Sequence, residues 1–364
     1  MKHWQETSQI LARAARLDHA GQRGALATVV RIEGSAYRRP GAKMLVADDG
    51  TMTGSVSGGC LEADVREIAL AVIRTGVPRL LHYTTGADDQ TVWGLGLGCN
   101  GSVDIFVQPA TSEIALEIGA RVRDLLEGVA AFAVSTVVAG SAGLGRALVV
   151  GTDGVLAGST GDPALDRQVA ARAADSIAGT EPGLHDVASL QVFTEVLTPP
   201  PHLLICGAGD DAIPLAAYAA DAGFRVTVLD HRPAYLATER FPVGTRLLEA
   251  RAEHGLDALA LGPPPRSYAV VKTHSLTHDR EWVRQLVESE VAYIGILGPR
   301  ARTEEILQQV GAAGSDRVFG PVGLDLGAEG AEQVAVSIVA ELLAVWSGRE
   351  PRHLREKESA IHAG

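Results

Sequence analysis

The segment LLICGAGDDAIPLA, starting at Leu203, restricts the folds open to this chain more than any other stretch. The apolar run His202 to Cys206 enters a glycine turn in which Gly207, Gly209 and Ala212 are spaced G-x-G-x-x-A. A helical stretch, Ala212 to Ala222, follows, and a second apolar run, Arg225 to Leu229, ends at Asp230. Glycines at these positions let a backbone approach a pyrophosphate, the helix N-terminus supplies oriented N–H donors, and an acid closing the next strand meets a ribose hydroxyl. Two more apolar runs, Tyr268 to Val271 and Tyr293 to Leu297, alternate with helical stretches from about Asp279 to Ser289 and from Ala331 to Trp346. Strands alternating with helices predict a parallel sheet covered on both faces. The fold class expected is therefore α/β, with a C-terminal Rossmann-like, doubly wound sheet.

The ligand of such a domain is less determined than its fold. Asp210 and Asp211 bring negative charge to the place of a pyrophosphate, while Arg232 would pull the site towards a phosphorylated ribose or another nucleotide. A Rossmann domain that only scaffolds fits the same residues. Thr273, His274 and Asp279 follow a strand at the carboxyl edge, where open α/β sheets bind ligands, and Arg300 in the Gly298-Pro299-Arg300 loop is expected near that edge. His274 and His278 have the spacing of a helical metal pair, but no third ligand accompanies them, so no metal site is expected. Cys206, in apolar company, is read as core packing.

Upstream lies an internal repeat. ATVVRIEGSAYRRPGAKMLVADDGTMTGSVSGG from Ala27 and STVVAGSAGLGRALVVGTDGVLAGSTG from Ser135 both read strand, glycine turn, strand, Asp-Gly hairpin, strand. Gly50 and Gly54 match Gly154 and Gly158. The expected organisation is a first copy over 1–109, a second over 110–198 packing with it, the Rossmann-like domain over 199–347 and a tail over 348–364. The Pro199-Pro200-Pro201 run serves as linker. Helices are expected from Leu61 to Arg74 and from Glu113 to Leu126.

The first copy holds the densest chemistry. Ser57, Gly58, Gly59 and Cys60 form a glycine-rich turn ahead of an amphipathic helix whose first turn carries Glu62 and Asp64. A thiol beside a helix N-cap is activated by the dipole and by free N–H groups, which also suit an oxyanion. Cys60 is thus a candidate nucleophile, sulfur carrier or soft metal donor. Cys99 sits in GLGLGCNGS behind Gly94, Gly96 and Gly98, a glycine density that lets something approach the backbone closely. Arg38, Arg39 and Lys43 between the strands are candidates to meet an anionic group. The alternatives are plain: buried small cysteines and a solvated basic turn.

Composition excludes some partners. With Lys plus Arg at 32, Asp plus Glu at 44 and a net charge of −12, the chain is a poor nucleic-acid binder. Three cysteines make no disulfide framework, and the start MKHWQETSQI lacks a signal peptide's apolar core. Apolar stretches such as VAAFAVSTVVAG are too short to span a bilayer. A cytoplasmic protein without a membrane partner is expected.

Read together, GSAYRRPGAKMLV, GSVSGGCLEADV, GLGLGCNG, PPPHLLICGAGDDAIPLA, VTVLDHRP, the TH…D segment, YIGILGPR and GPVGLDLGAEGAEQVAVSIVAELLA resemble the XdhC/CoxI family of xanthine dehydrogenase accessory proteins over nearly the whole chain. The resemblance implies a chaperone that binds the molybdenum cofactor (molybdopterin), supports its sulfuration and delivers it to an apo molybdenum hydroxylase of the xanthine or carbon monoxide dehydrogenase type. It also implies a cysteine desulfurase as partner; a homodimer is expected from the apolar helix Ala331 to Trp346, which offers a face for pairing. Carried over by residue, it makes Cys60 and Cys99 the candidate catalytic cysteines and Gly58, Gly59 and Gly98 the cofactor-binding glycines. The competing expectation is an NAD(P)-dependent oxidoreductase built on Gly207, Gly209, Asp230, Arg232, His274 and Arg300.

Overall fold

A computed structural model describes residues 3–34, 38–85, 101–179, 182–254 and 266–356. The backbone divides into two compact units, Lys2–Pro199 and Pro200–Gly364, the division falling within the proline run.

The first unit is one motif built twice. In copy one, α1 (His3–His19) leads into β1 (Gly24–Gly34), β2 (Lys43–Ala47) and β3 (Met52–Gly54), then α2 (Glu62–Thr75), β4 (Arg79–Thr85) and β5 (Gly101–Pro109). In copy two the same succession is α3 (Glu113–Leu126), β6 (Phe132–Gly140), β7 (Ala147–Gly151), β8 (Gly154–Gly158), α4 (Pro163–Gly179), β9 (Gly183–Val187) and β10 (Leu190–Leu197). The sheets are antiparallel, with orders β3-β2-β1-β5-β4 and β8-β7-β6-β10-β9. Even the irregularities recur, since the β1–β5 ladder skips Val30 and the β6–β10 ladder skips Val138, which is its repeat equivalent.

Strand alternation decides which side chains meet the helices. Ala25, Ala27 and Val29 of β1 pack with Val65, Ala69 and Val72 of α2, and Ala133 and Val137 of β6 pack with Val169 and Ala173 of α4. Residues of the other register, such as Leu26, Thr28, Val134 and Thr136, point to the opposite sheet faces. The N-terminal helix, which the sequence reading did not identify, fits the same logic. Ile10, Ala14 and Leu17 recur at helical spacing and bury against Leu45 and Ala47.

The second unit has a six-stranded, all-parallel sheet ordered β13 (Arg246–Glu249), β12 (Arg225–Asp230), β11 (His202–Cys206), β14 (Ser267–Val271), β15 (Tyr293–Ile296) and β16 (Val318–Phe319). This is the doubly wound order expected, reversing direction between β11 and β14. One face buries α5 (Ala212–Ala222) and α8 (Gly330–Ser347) over Leu203, Ile205 and Val228, and the other buries α6 (Leu276–Glu288) and α7 (Arg300–Val310) over Leu204, Ala269 and Ile294. Helix α6 starts three residues before the expected Asp279, because Ser275 caps it. Arg300, expected in a loop, opens α7. Helix α8 is long and apolar enough to cross a membrane by length and composition, yet Ala335, Ile338, Val339 and Leu342 are spent on this core.

Candidate functional site

The cysteine turn lies between β3 and α2. Gly58 and Gly59 hold φ angles of 108° and 120°, which side-chain-bearing residues rarely adopt. Copy two has the same chain length here but Pro163 where copy one has Gly59, and Pro163 already begins α4. The paired glycines therefore unwind the first turn of α2, and Cys60 sits in that unwound turn, one residue before the N-cap Leu61. Its side chain is half-buried, against the core under α2. A side chain placed on Gly59 would meet nothing within 4 Å, so this edge of the turn is open.

The amide donors of the turn are not bare. Glu62 folds back so that Oε1 accepts from the N–H groups of Val56 (3.2 Å), Ser57 (2.9 Å) and Gly58 (3.2 Å), and Oε2 accepts from the Gly59 N–H at 2.9 Å. The Ser55 and Ser57 hydroxyls also donate to it. Partial burial pushes the Glu62 carboxyl up, but the Ser57, Ser55 and backbone hydrogen bonds outweigh it and hold the group at about 2. The expectation that this nest faces an outside anion is corrected on that point: an internal carboxylate fills it. Asp166, the repeat equivalent of Glu62, does the same in copy two, accepting from the Thr160 N–H at 2.7 Å and the Ser159 hydroxyl at 2.7 Å.

Arg38 and Lys43, expected as basic groups of the site, are likewise committed. Arg38 pairs with Glu6 at 2.5 Å. Lys43, read as part of a loop, is instead a buried residue of β2, its ammonium 2.5 Å from Glu195 Oε1 and 2.9 Å from the Gly41 carbonyl. Arg39 is exposed. Gly98 and Cys99 lie outside the described residues.

At the carboxyl edge of the parallel sheet, Asp230, Arg232, His274 and Asp279 are already held by neighbours within the chain, while Arg300 is exposed at the start of α7. Asp230 Oδ2 accepts from the Ala208 N–H and from Arg232, both at 2.9 Å or less, and Oδ1 accepts from the Arg232 backbone and side chain. Burial raises the Asp230 carboxyl, and Arg232 with the Ala208 amide overrides this and holds it at about 2. Gly207 has φ 118°, and a Cβ there would lie 2.5 Å from the Lys272 carbonyl oxygen, so the glycine lets β11 and β14 turn past each other. Asp210 pairs with Arg240 at 2.7 Å. Asp211 lies 2.6 Å from the ammonium of Lys272, which is buried, and 2.9 Å from Nε2 of His274, which stands in the left-handed region at φ 58°. Burial raises the Asp211 carboxyl and these two partners bring it below its usual range. Asp279, fully buried, accepts from the Thr273 hydroxyl at 2.6 Å and from Arg302. Glu62, Glu195, Lys272 and Arg240 were not among the expected site residues. Of these, only Glu62, an acid in the first turn after a glycine pair, left a sequence signal. Among the described residues no three metal-ligating side chains converge.

Residues 203–342 match the model of the XdhC Rossmann domain, and residues 17–84 match that of the XdhC and CoxI family. A Bacillus subtilis protein, named as a probable subunit of xanthine dehydrogenase, is 35% identical over 87% of this chain and 92% of its own length. The chain belongs to the XdhC and CoxI family. Within that family it superposes on a crystal structure from Bacillus halodurans, described as a xanthine dehydrogenase, with a TM-score of 0.75, 28% identity and coverage of 96% and 98% of the two chains. A 121-residue stretch, 30% of this XdhC-family chain, is 32% identical to 37% of the Escherichia coli molybdenum cofactor insertion chaperone PaoD.

Proposed function

We propose that this XdhC-family chain is an accessory protein that binds the molybdenum cofactor, supports its sulfuration together with a cysteine desulfurase, and hands it to an apo molybdenum hydroxylase of the xanthine dehydrogenase type. The observation that carries the reading is local. Copy one alone unwinds its helix start with a glycine pair, and the residue it presents there is a cysteine with an open edge beside it. The second copy, built on the same frame, keeps an ordinary helix start and has Ala164 at that position. The likeness to a named insertion chaperone supports the same direction.

The residues fit the cofactor in part. A half-buried thiol suits a soft metal or its sulfur. The neighbouring amides do not suit the cofactor's phosphate while Glu62 occupies them, so no anion contact is assigned to them. When bound, the cofactor would supply molybdenum and its sulfur; this chain's part is to hold the thiol at the open edge of the turn. The decisive experiment is co-expression with a molybdenum hydroxylase and analysis of molybdenum and pterin on the purified chain. Cys60→Ala is expected to lower retained cofactor and client activation about tenfold or more, while unchanged values in the variant would remove Cys60 from the mechanism. No comparable observation favours an NAD(P) oxidoreductase, because the Asp230 carboxylate that would receive a ribose is held by Ala208 and Arg232.

A further inference from the structure

The first unit encloses a cavity of about 330 Å³ between the sheet faces that α2 and α4 leave uncovered, and helices α1 and α3 also line it. That volume has room for roughly ten heavy atoms at the density of liquid water. Its walls are mostly apolar, with Leu26, Val30 and Phe106 from copy one and Val134, Val138 and Phe193 from copy two. Space of this size among such walls suits an apolar body better than water. Three cations reach the lining, Lys43, Arg123 and Arg146, against a single acid, Glu195. Lys43 and Glu195 pair with each other, so two guanidinium groups remain.

The internal duplication provides a control for both. Ile10 and Ile118 lie against equivalent glycines, Gly54 and Gly158, which aligns α1 with α3 and sets Ala15 at the place of Arg123. The Ala42 carbonyl accepts from the Val29 N–H as the Arg146 carbonyl accepts from that of Val137, so Ala42 stands at the place of Arg146. Copy two thus carries a positive charge at two lining positions where copy one, on the same frame, has alanine. Arg123 lies in the last turn of α3, where a cation suits the helix dipole, but that attraction does not account for a buried Nε that meets no acceptor. Arg38, Arg66, Arg280 and Arg302 also bury an unbonded Nε, yet each sets another guanidinium nitrogen on an acceptor. Arg123 sets none among the described residues. Arg146 is exposed and so stands at the mouth, where the charge of nearby Asp166 offsets part of its own.

A charge beside apolar walls costs free energy until an opposite charge meets it. Because Asp166 offsets part of Arg146, the surplus is closer to one charge than to two, which selects a monoanion over a phosphate monoester. A guanidinium also forks onto a carboxylate through two parallel hydrogen bonds. We infer that this cavity binds a medium-chain aliphatic carboxylate, its tail lying between the two sheets and its head group held by Arg123, with Arg146 at the mouth. The inference is independent of the chaperone reading, since it needs neither Cys60 nor the molybdenum cofactor.

Calorimetry on the full chain tests it with octanoate, against octanol, which keeps the tail without the charge, and acetate, which keeps the charge without the tail. Octanoate is expected to bind one-to-one, and each of the other two at least about tenfold more weakly. Arg123→Met keeps the apolar stem and removes the charge. It is expected to weaken octanoate at least about tenfold and to leave the melting temperature unchanged or raised, since it strands no partner. Arg121→Met, on the same helix but off the cavity wall, is expected to bind octanoate as the unaltered chain does. Thr136→Phe, which fills the cavity from β6, is expected to abolish binding while the thermal melt confirms a folded chain. Should that variant not fold, the two arginine variants decide the matter. Absence of octanoate binding, equal binding of octanol, undiminished binding by Arg123→Met or by folded Thr136→Phe, or equal losses in Arg121→Met and Arg123→Met would each overturn the assignment.

Discussion

Glu62 shows how one side chain sets the state of a whole turn. Its carboxylate gathers four backbone N–H groups and two hydroxyls, so a loop with two left-handed glycines is held in a single conformation. The folded group sits at about 2 against an ordinary value of 4.5, so its stabilisation is complete above pH of about 4.5 and is lost as pH falls towards about 2. Glu62→Gln is expected to cost about 1–2 kcal/mol at neutral pH, a range already discounted for the partial exposure of the site. Urea unfolding of both proteins should show the gap between them narrowing as the solution is acidified through that window. A gap that stays constant with pH would mean that the carboxylate's charge is not what holds the turn.

At the scale of elements, glycines with similar backbone angles serve different ends. Gly59 has φ 120° and open space where a side chain would go, whereas Gly207 has φ 118° and the Lys272 carbonyl oxygen 2.5 Å from that point. Gly59→Ala should therefore bear backbone strain alone, about 1–2 kcal/mol. Gly207→Ala adds a collision that must part the β11 and β14 turns, so about 2–4 kcal/mol is expected. Thermal melts of the two variants test this ordering, and an equal loss would show that the second turn yields freely. The same contrast explains why the G-x-G-x-x-A spacing identified the sheet correctly but not a ligand. Here the first glycine is already required by the packing of two strands.

For the whole molecule, each of the two units holds cores of its own, those of the first beneath α2 and α4 and those of the second on the two faces of the parallel sheet. A chain ended after Pro199 is accordingly expected to fold and to unfold in one cooperative transition. A broad, non-cooperative melt of that fragment would show that its cores are not sufficient.

Much of this fold was legible in the sequence because its causes are local. Apolar alternation, the glycine spacing from Gly207 and the Asp-Gly hairpins act over a few residues, and they were enough to recognise the doubly wound sheet and the repeat. The partners of the charged groups could not be read in that way. Arg38 meets Glu6 from 32 residues away and Lys43 meets Glu195 from 152, and those distances close only when strand register and the pairing of the two copies are set. Which cations stay available to a ligand and which are already neutralised follows from that long-range geometry, because a charge is attracted to whatever opposite charge the fold brings near it.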